Sequence, residues 1–186
     1  MPKVLISGNN VTCSYVLVNC TDPAYDVAVQ VTGTSHISEN STYYKSNGLA
    51  LDADETCTVT NTILEGNTQD IDVAATKTVT AKNNCLHHSA DATTNIGAGT
   101  YTDTDSIFTL DPLFRNSATQ DFRLKRKSPC RDRGDNTPYS GLINKFDLEG
   151  NRITDAIGNV VARYGKVDIG AYEYQKKHPW SGKGPW

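Results

Sequence analysis

No apolar run in this chain of 186 residues approaches the roughly 20 residues that a membrane-spanning helix requires. Basic residues are not in excess either. The 18 Lys and Arg against 21 Asp and Glu leave a formal net charge of −3, whereas nucleic-acid binders usually carry a basic face. Composition therefore speaks against a nucleic-acid partner. Helical stripes are missing, because Leu, Ala, Glu and Lys do not recur at helical spacing, while Thr, Val and nine Tyr favour strands. No CxxC or HxxH spacing appears among the five Cys and four His, which leaves structural metal binding through them without support. Five is an odd number, so at least one thiol is unpaired unless a partner chain supplies its mate. The opening MPKVLISGNN has one Lys, no long apolar stretch and no small-residue cleavage site, and does not read as a signal peptide. On this reading the chain is mature or trimmed, or it stays in the cell.

What is present is a repeat. In TCTVTNTILEGN, residues 56–67, Cys57, Val59, Asn61 and Ile63 fall on every second position, the period of a strand with one buried face. Gly66-Asn67 then turns the chain, since both residues tolerate a left-handed backbone. Val79, Ala81, Asn83 and Cys85 repeat the pattern 22 residues later, with a turn near His88. Ile37, Ser41 and Tyr43 precede a turn at Ser46-Asn47, and Val11, Cys13 and Tyr15 precede one at Asn19. Second strands follow these turns, at Val27 to Val31, Leu49 to Leu51 and Ile71 to Val73, and KVLIS at 3–7 reads as an entering strand. The loop Cys20 to Asp26 accounts for the longer first interval.

A repeat of 20 to 22 residues with two or three short strands per coil implies a solenoid, in which stacking joins apolar sides that no coil buries alone. The Leu-x-x-Leu-x-Leu pattern of leucine-rich repeats is absent. The expectation is an all-β, right-handed parallel β-helix of about four coils with a C-terminal β cap. Cys13, Cys57 and Cys85 take inward positions as small hydrophobes. Glu39 falls on the inward register, which calls for a bulge near Asn40. Asn19, Asn47 and Asn67 share one predicted corner and are candidates for a ladder of stacked amides. Asn10, Asn19 and Asn40 also match the glycosylation sequon, a use at odds with a structural corner.

From residue 106 the chain reads SIFTLDPLFRNSATQDFRLKRKSPCRDRGDN. Asp111 to Phe114, Asp121 to Leu124, Ser128-Pro129, Asp132 to Gly134, Asp147 to Asn151 and Val167 to Glu173 resemble, in that order, the ending of bacterial right-handed parallel β-helix repeat proteins. Among these are the polymorphic-outer-membrane-protein-like and surface-anchored proteins of Bacteroidetes. With the coils before it, the resemblance covers residues 10–174. It implies export, a secreted or cell-surface location and a bacterial source. Arg131 and Arg133 depart from the pattern, which usually has small or apolar residues there. Independently of the resemblance, a solenoid end needs a cover. Phe108, Leu110, Leu113, Phe114, Phe122 and Leu124 supply apolar surface for one, and Ile169, Ala171 and Tyr172 its last strand. The expected division is coils over 1–100, last coil and cap over 101–174, and a tail over 175–186 that holds both Trp, in one domain.

Candidate chemistry is sparse. Polysaccharide lyases need a carboxylate neutraliser, commonly calcium on acidic oxygens, and a base. Asp52, Asp54 and Glu55 form the best acidic cluster, with calcium as the one cofactor considered, and Asp70 and Asp72 follow one coil later. Asp52, Asp54 and Asp70 are thus the catalytic candidates, against the alternative of a solvated acidic turn. No pair stands at a spacing that singles out glycoside hydrolysis. His87 and His88 are adjacent and on a strand point to opposite faces; His36 precedes an inward Ile and would face out. Arg133-Gly134-Asp135 spells an adhesion triplet that chance explains. Tyr43 and Tyr44 are consecutive, so one faces outward, and a sugar-stacking platform is one reading.

The leading expectation is a non-catalytic module binding a polysaccharide or glycan, or serving as a surface scaffold. The alternatives are a polysaccharide lyase or glycoside hydrolase with a strand-face groove, and a purely structural or self-assembling subunit. In the last case a homo-oligomer would form through the uncapped N-terminal coil.

Overall fold

The computed structural model describes residues 2–7, 12–14, 16–19, 27–32, 36–44, 49–87, 97–161 and 165–174. Fourteen of its sixteen strands, numbered in chain order, stack into three parallel sheets. The first contains β1 (Pro2–Ile6), β4 (Val27–Val31), β7 (Leu49–Ala53) and β10 (Gln69–Val73). The second contains β2 (Thr12–Ser14), β5 (His36–Glu39), β8 (Cys57–Thr60), β11 (Thr78–Lys82) and β13 (Thr100–Thr104). The third contains β3 (Leu17–Asn19), β6 (Thr42–Tyr44), β9 (Ile63–Glu65), β12 (Cys85–His87) and β14 (Ile107–Phe108). From β1 to β12 each coil visits the three sheets in turn, and β13 and β14 extend the second and third, so the chain is a parallel β-solenoid. It makes about three turns from β1 to β10. That is slightly fewer than the four expected, because four stacked strands are separated by three steps. Among the described residues no helix is long and apolar enough to cross a membrane.

Rows of side chains in register fill the lumen. Val29, Leu51 and Ile71 come from the first sheet, Cys57, Val59 and Val79 from the second, and Val18, Tyr43, Leu64 and Leu86 from the third. The first-sheet strands, the corner at Gly66 (φ 69°) and the lumen positions of Cys57 and Val59 agree with the sequence pattern. The register of β5 does not. His36 pairs with Cys57 and Ile37 with Thr58, one residue off the expected alignment. Glu39 accordingly pairs with Thr60, an outward position that requires no bulge.

The corner between the second and third sheets is where the asparagines stack. Asn40, Asn61, Asn83 and Asp105 occupy it in successive coils with φ of 44°, 51°, 50° and 61°, a left-handed backbone that Asn and Asp tolerate better than other side chains. The Asn61 amide donates to Asn40 Oδ1 at 3.2 Å and to the Asp135 carbonyl at 2.8 Å, and its Oδ1 accepts from the Asp135 N–H at 2.6 Å. Beside them, Asn84 Oδ1 accepts from the Thr62 N–H at 2.9 Å, and Asn84 Nδ2 donates to the Val59 carbonyl at 2.9 Å. An asparagine ladder thus lies at this corner. Asn19 stands in the row of Tyr44, Glu65 and His87, Asn67 lies two residues past that row, and Asn47 is outside the described residues. Asn40, with no exposed surface, is a ladder member rather than a glycan acceptor.

This corner also inverts the faces. Ile63 and Cys85 continue the every-second-residue pattern through Asn61 and Asn83, but beyond the bend they point away from the lumen. With Ile107 they pack against Phe114, Phe122, Leu124, Cys130 and Ile169. The C-terminal segment thus covers the side of the third sheet, not the end of the coils. Its antiparallel pair, β15 (Phe114–Asn116) and β16 (Asp121–Leu124), sets Phe114 and Phe122 around Tyr44. The ring centroids lie 6.1 and 4.7 Å from that of Tyr44. Phe108 and Leu110, expected in the cover, remain exposed at 42% and 53%. No strand forms over 165–174. Gly170, at φ 107°, donates its N–H to the Asn61 carbonyl at 2.7 Å. A Cβ there would stand 2.6 Å from Ile63 Cδ1, so only glycine lets this segment approach the sheet so closely.

Two copies of Asp-x-x-Gly-Asn, at 147–151 and 155–159, fold alike. In each, the Asp carboxylate accepts from the N–H groups two and four residues on and from the Asn side chain. Asp147 is buried and also accepts from the Glu173 N–H at 2.8 Å. The buried Glu173 carboxylate takes the Asp168 N–H at 3.1 and 3.2 Å, while Asp168 takes the N–H groups of Asp132 and Tyr174, each at 2.6 Å. Burial pushes Asp168 up to about 6 against these bonds. Burial, reinforced by the Asp168 charge, raises Glu173 as well.

Candidate functional site

The expected acidic site lies on the first sheet. Gln30, Asp52 and Asp72 stand side by side on β4, β7 and β10, so Asp72 rather than Asp70 is the cross-strand neighbour of Asp52. Gln30 Nε2 donates to both Asp52 Oδ2 and Asp54 Oδ2, at 3.0 Å each. Burial first, then the charges of Asp54 and Asp72, raise the Asp52 carboxyl above its ordinary value. Glu55 turns to Lys77 at 2.6 Å, and Asp70 is fully buried on β10. Asp52, Asp54 and Glu55 consequently do not converge as a calcium ligand set. Among the described residues no group of three or more His, Cys, Asp or Glu is arranged to hold a metal.

The tyrosine platform is overturned by burial. Tyr43 is 0% exposed in the lumen and Tyr44 is 5% exposed beneath the C-terminal segment, so neither offers a ring to a ligand. They could not be separated in sequence, because both faces of β6 are covered. Glu65 and His87 are cross-strand neighbours joined by a 2.5 Å hydrogen bond, and burial raises the Glu65 carboxyl. His88 is outside the described residues. In the adhesion triplet, Gly134 is buried and the Asp135 carboxylate is held by Lys82 at 2.8 Å and by Thr137. Arg131, flagged as a departure, lies over the Tyr174 ring at 3.9 Å.

One open cleft of about 320 Å³ is formed by parts of the chain that sequence reading did not join. β16 supplies Asp121 and Arg123, the turn before it Gln120, the first Asp-x-x-Gly-Asn turn Leu148 and Glu149, and the final segment Tyr172. Arg123 grips Asp121 in a fork, Nε to Oδ1 and Nη2 to Oδ2 at 2.6 Å each, and reaches Glu149 Oε1 through Nη1 at 3.1 Å. The guanidinium fork holds the Asp121 carboxyl below its ordinary value. Burial raises the Tyr172 phenol above its ordinary value. The Asp121-to-Leu124 motif was legible, yet its partners lie 26 and 49 residues onward from Arg123, with no periodicity to link them.

The geometry defines the class, a parallel β-solenoid with an apolar C-terminal segment laid along one side. No protein-family description, no curated protein and no solved structure matches this chain.

Proposed function

We propose that this chain is a non-catalytic module of an exported bacterial β-helix protein of the polymorphic-outer-membrane-protein-like or surface-anchored type, binding glycan or serving as a surface scaffold. The observation that carries the reading is the Gln30 amide lying across Asp52 and Asp54. It occupies the best acidic pair with a donor from its own chain, where a lyase would leave those oxygens for a cation or substrate. Size supports the same reading. Five strands span only roughly 19 Å along the axis, a short platform for depolymerising a long chain.

The test is incubation with acidic and neutral polysaccharides and millimolar calcium, following unsaturated uronides, reducing ends and retention of the protein on each polymer. Retention without products is expected. Products that vanish on Asp52→Ala would overturn the non-catalytic reading. Absence of both would leave a structural subunit in its place.

A further inference from the structure

The geometry points to the cleft between β16 and Tyr172 as a subsite for one neutral sugar ring, an assignment that rests on the glycan-binding reading above. Volume is the first argument. About 320 Å³ sits at the small end of ligand pockets and suits a single ring rather than a long groove. The wall chemistry is the second. Tyr172 lines the cleft half-buried, with Leu148 beside it 46% exposed. A neutral phenol ring next to an apolar side chain matches the C–H face of a sugar. In the same cleft, Arg123 holds Asp121 and Glu149 in fixed positions, so little side-chain freedom remains to be lost on binding. The Glu149 side chain is 38% exposed and has oxygen lone pairs to accept hydroxyl hydrogens.

Charge selects among sugars. Asp121 and Glu149 carry −2 against +1 on Arg123. Including Asp147, which acts on Tyr172, and Arg115, which acts on Asp121, changes the sum to −3 + 2 and leaves it at −1. The guanidinium that would attract a uronate or sulfate is already bonded to two carboxylates. An anionic sugar is therefore disfavoured, while a neutral one finds carboxylate acceptors for its hydroxyls and the Tyr172 ring for its C–H face.

The experiment titrates the full chain with neutral gluco- and galacto-oligosaccharides and with an oligogalacturonate, reading affinity by calorimetry and fold by thermal melting. A neutral oligosaccharide is expected to bind, and the oligogalacturonate to bind more weakly. Tyr172→Ala should weaken binding by roughly three- to tenfold, the size of one aromatic contact. Tyr172→Phe keeps the ring and should retain affinity, and Glu149→Gln guards against a misfolded Tyr172→Ala by weakening binding at unchanged melting temperature. Neutral-sugar binding indifferent to Tyr172→Ala and Glu149→Gln would overturn the subsite and spare the glycan-binding reading. Preference for the oligogalacturonate would overturn the charge argument, and no binding by any sugar would overturn both readings.

Discussion

The second and third sheets are built from the same coils and meet at one corner, yet their outer faces have opposite fates. On the second sheet Thr58, Thr80 and Thr102 stand in register, half-buried or exposed to solvent. On the third the corresponding outer row is Leu17, Thr42, Ile63, Cys85 and Ile107, and it lies under the C-terminal segment. Hydroxyls keep one face wet, while the apolar row recruits a covering. The covering then supplies the turns and ring that line the cleft. The solenoid determines where a site forms, and the covering segment provides its chemistry.

The widest gap between the two faces should come from truncation at each. Phe122→Ala removes a ring that is 1% exposed from the covered face and should cost about 3–5 kcal/mol in chemical denaturation. Thr80→Ala on the solvated face should stay within about 0.5 kcal/mol. At the corner between them, Asn61→Ala combines a left-handed backbone without its Asn with the loss of contacts to Asn40 and Asp135. A cost of about 2–4 kcal/mol is expected, again read by denaturation.

Within the covering segment, Asp147→Ala should destabilise by about 2–3 kcal/mol because it leaves buried N–H donors unpaired. The matching change at Asp155, where the turn is exposed, should cost less than about 1 kcal/mol. Equal effects would mean that burial of the first turn carries no weight.

A further effect is on pH. Asp168 holds its proton in the folded chain up to about 6, against an ordinary value of 3.8. Between those values the folded state binds more protons than the unfolded one, so stability falls as pH rises and the cost is complete above about 6. Asp121 and Asp135, both lowered, act oppositely, and their contribution fades as pH drops below the ordinary carboxylate range. The melting temperature should therefore peak near the ordinary carboxylate pKa, at about pH 4, and Asp168→Asn should flatten the fall towards neutrality.

These contrasts also mark what the sequence disclosed. The interval between coils, the strands of the first sheet and the Gly66 corner follow from period and turn chemistry, because hydrophobic alternation within one strand is a local signal. Ile63 and Cys85 were misplaced for a physical reason. Asn61 and Asn83 bend the backbone without interrupting the alternation, so an unbroken pattern passes from lumen to outer face. Tyr43 and Tyr44 looked like a half-exposed pair because nothing local says that a segment over 60 residues away covers the sheet. Arg123, Glu149 and Tyr172 were likewise beyond reach, since only the path of the covering segment brings them together.

Thiol labelling read by peptide mass spectrometry tests the central claim most directly, that the C-terminal segment lies along the side of the third sheet. Cys85 and Cys130 are buried between sheet and segment, and Cys57 in the lumen, where burial pushes its thiol up to about 12. All three should resist a maleimide in the native protein, and Phe122→Ala should open Cys85 and Cys130 while Cys57 stays protected. Rapid labelling of Cys85 in the unaltered chain, at a rate unaffected by Phe122→Ala, would contradict the account.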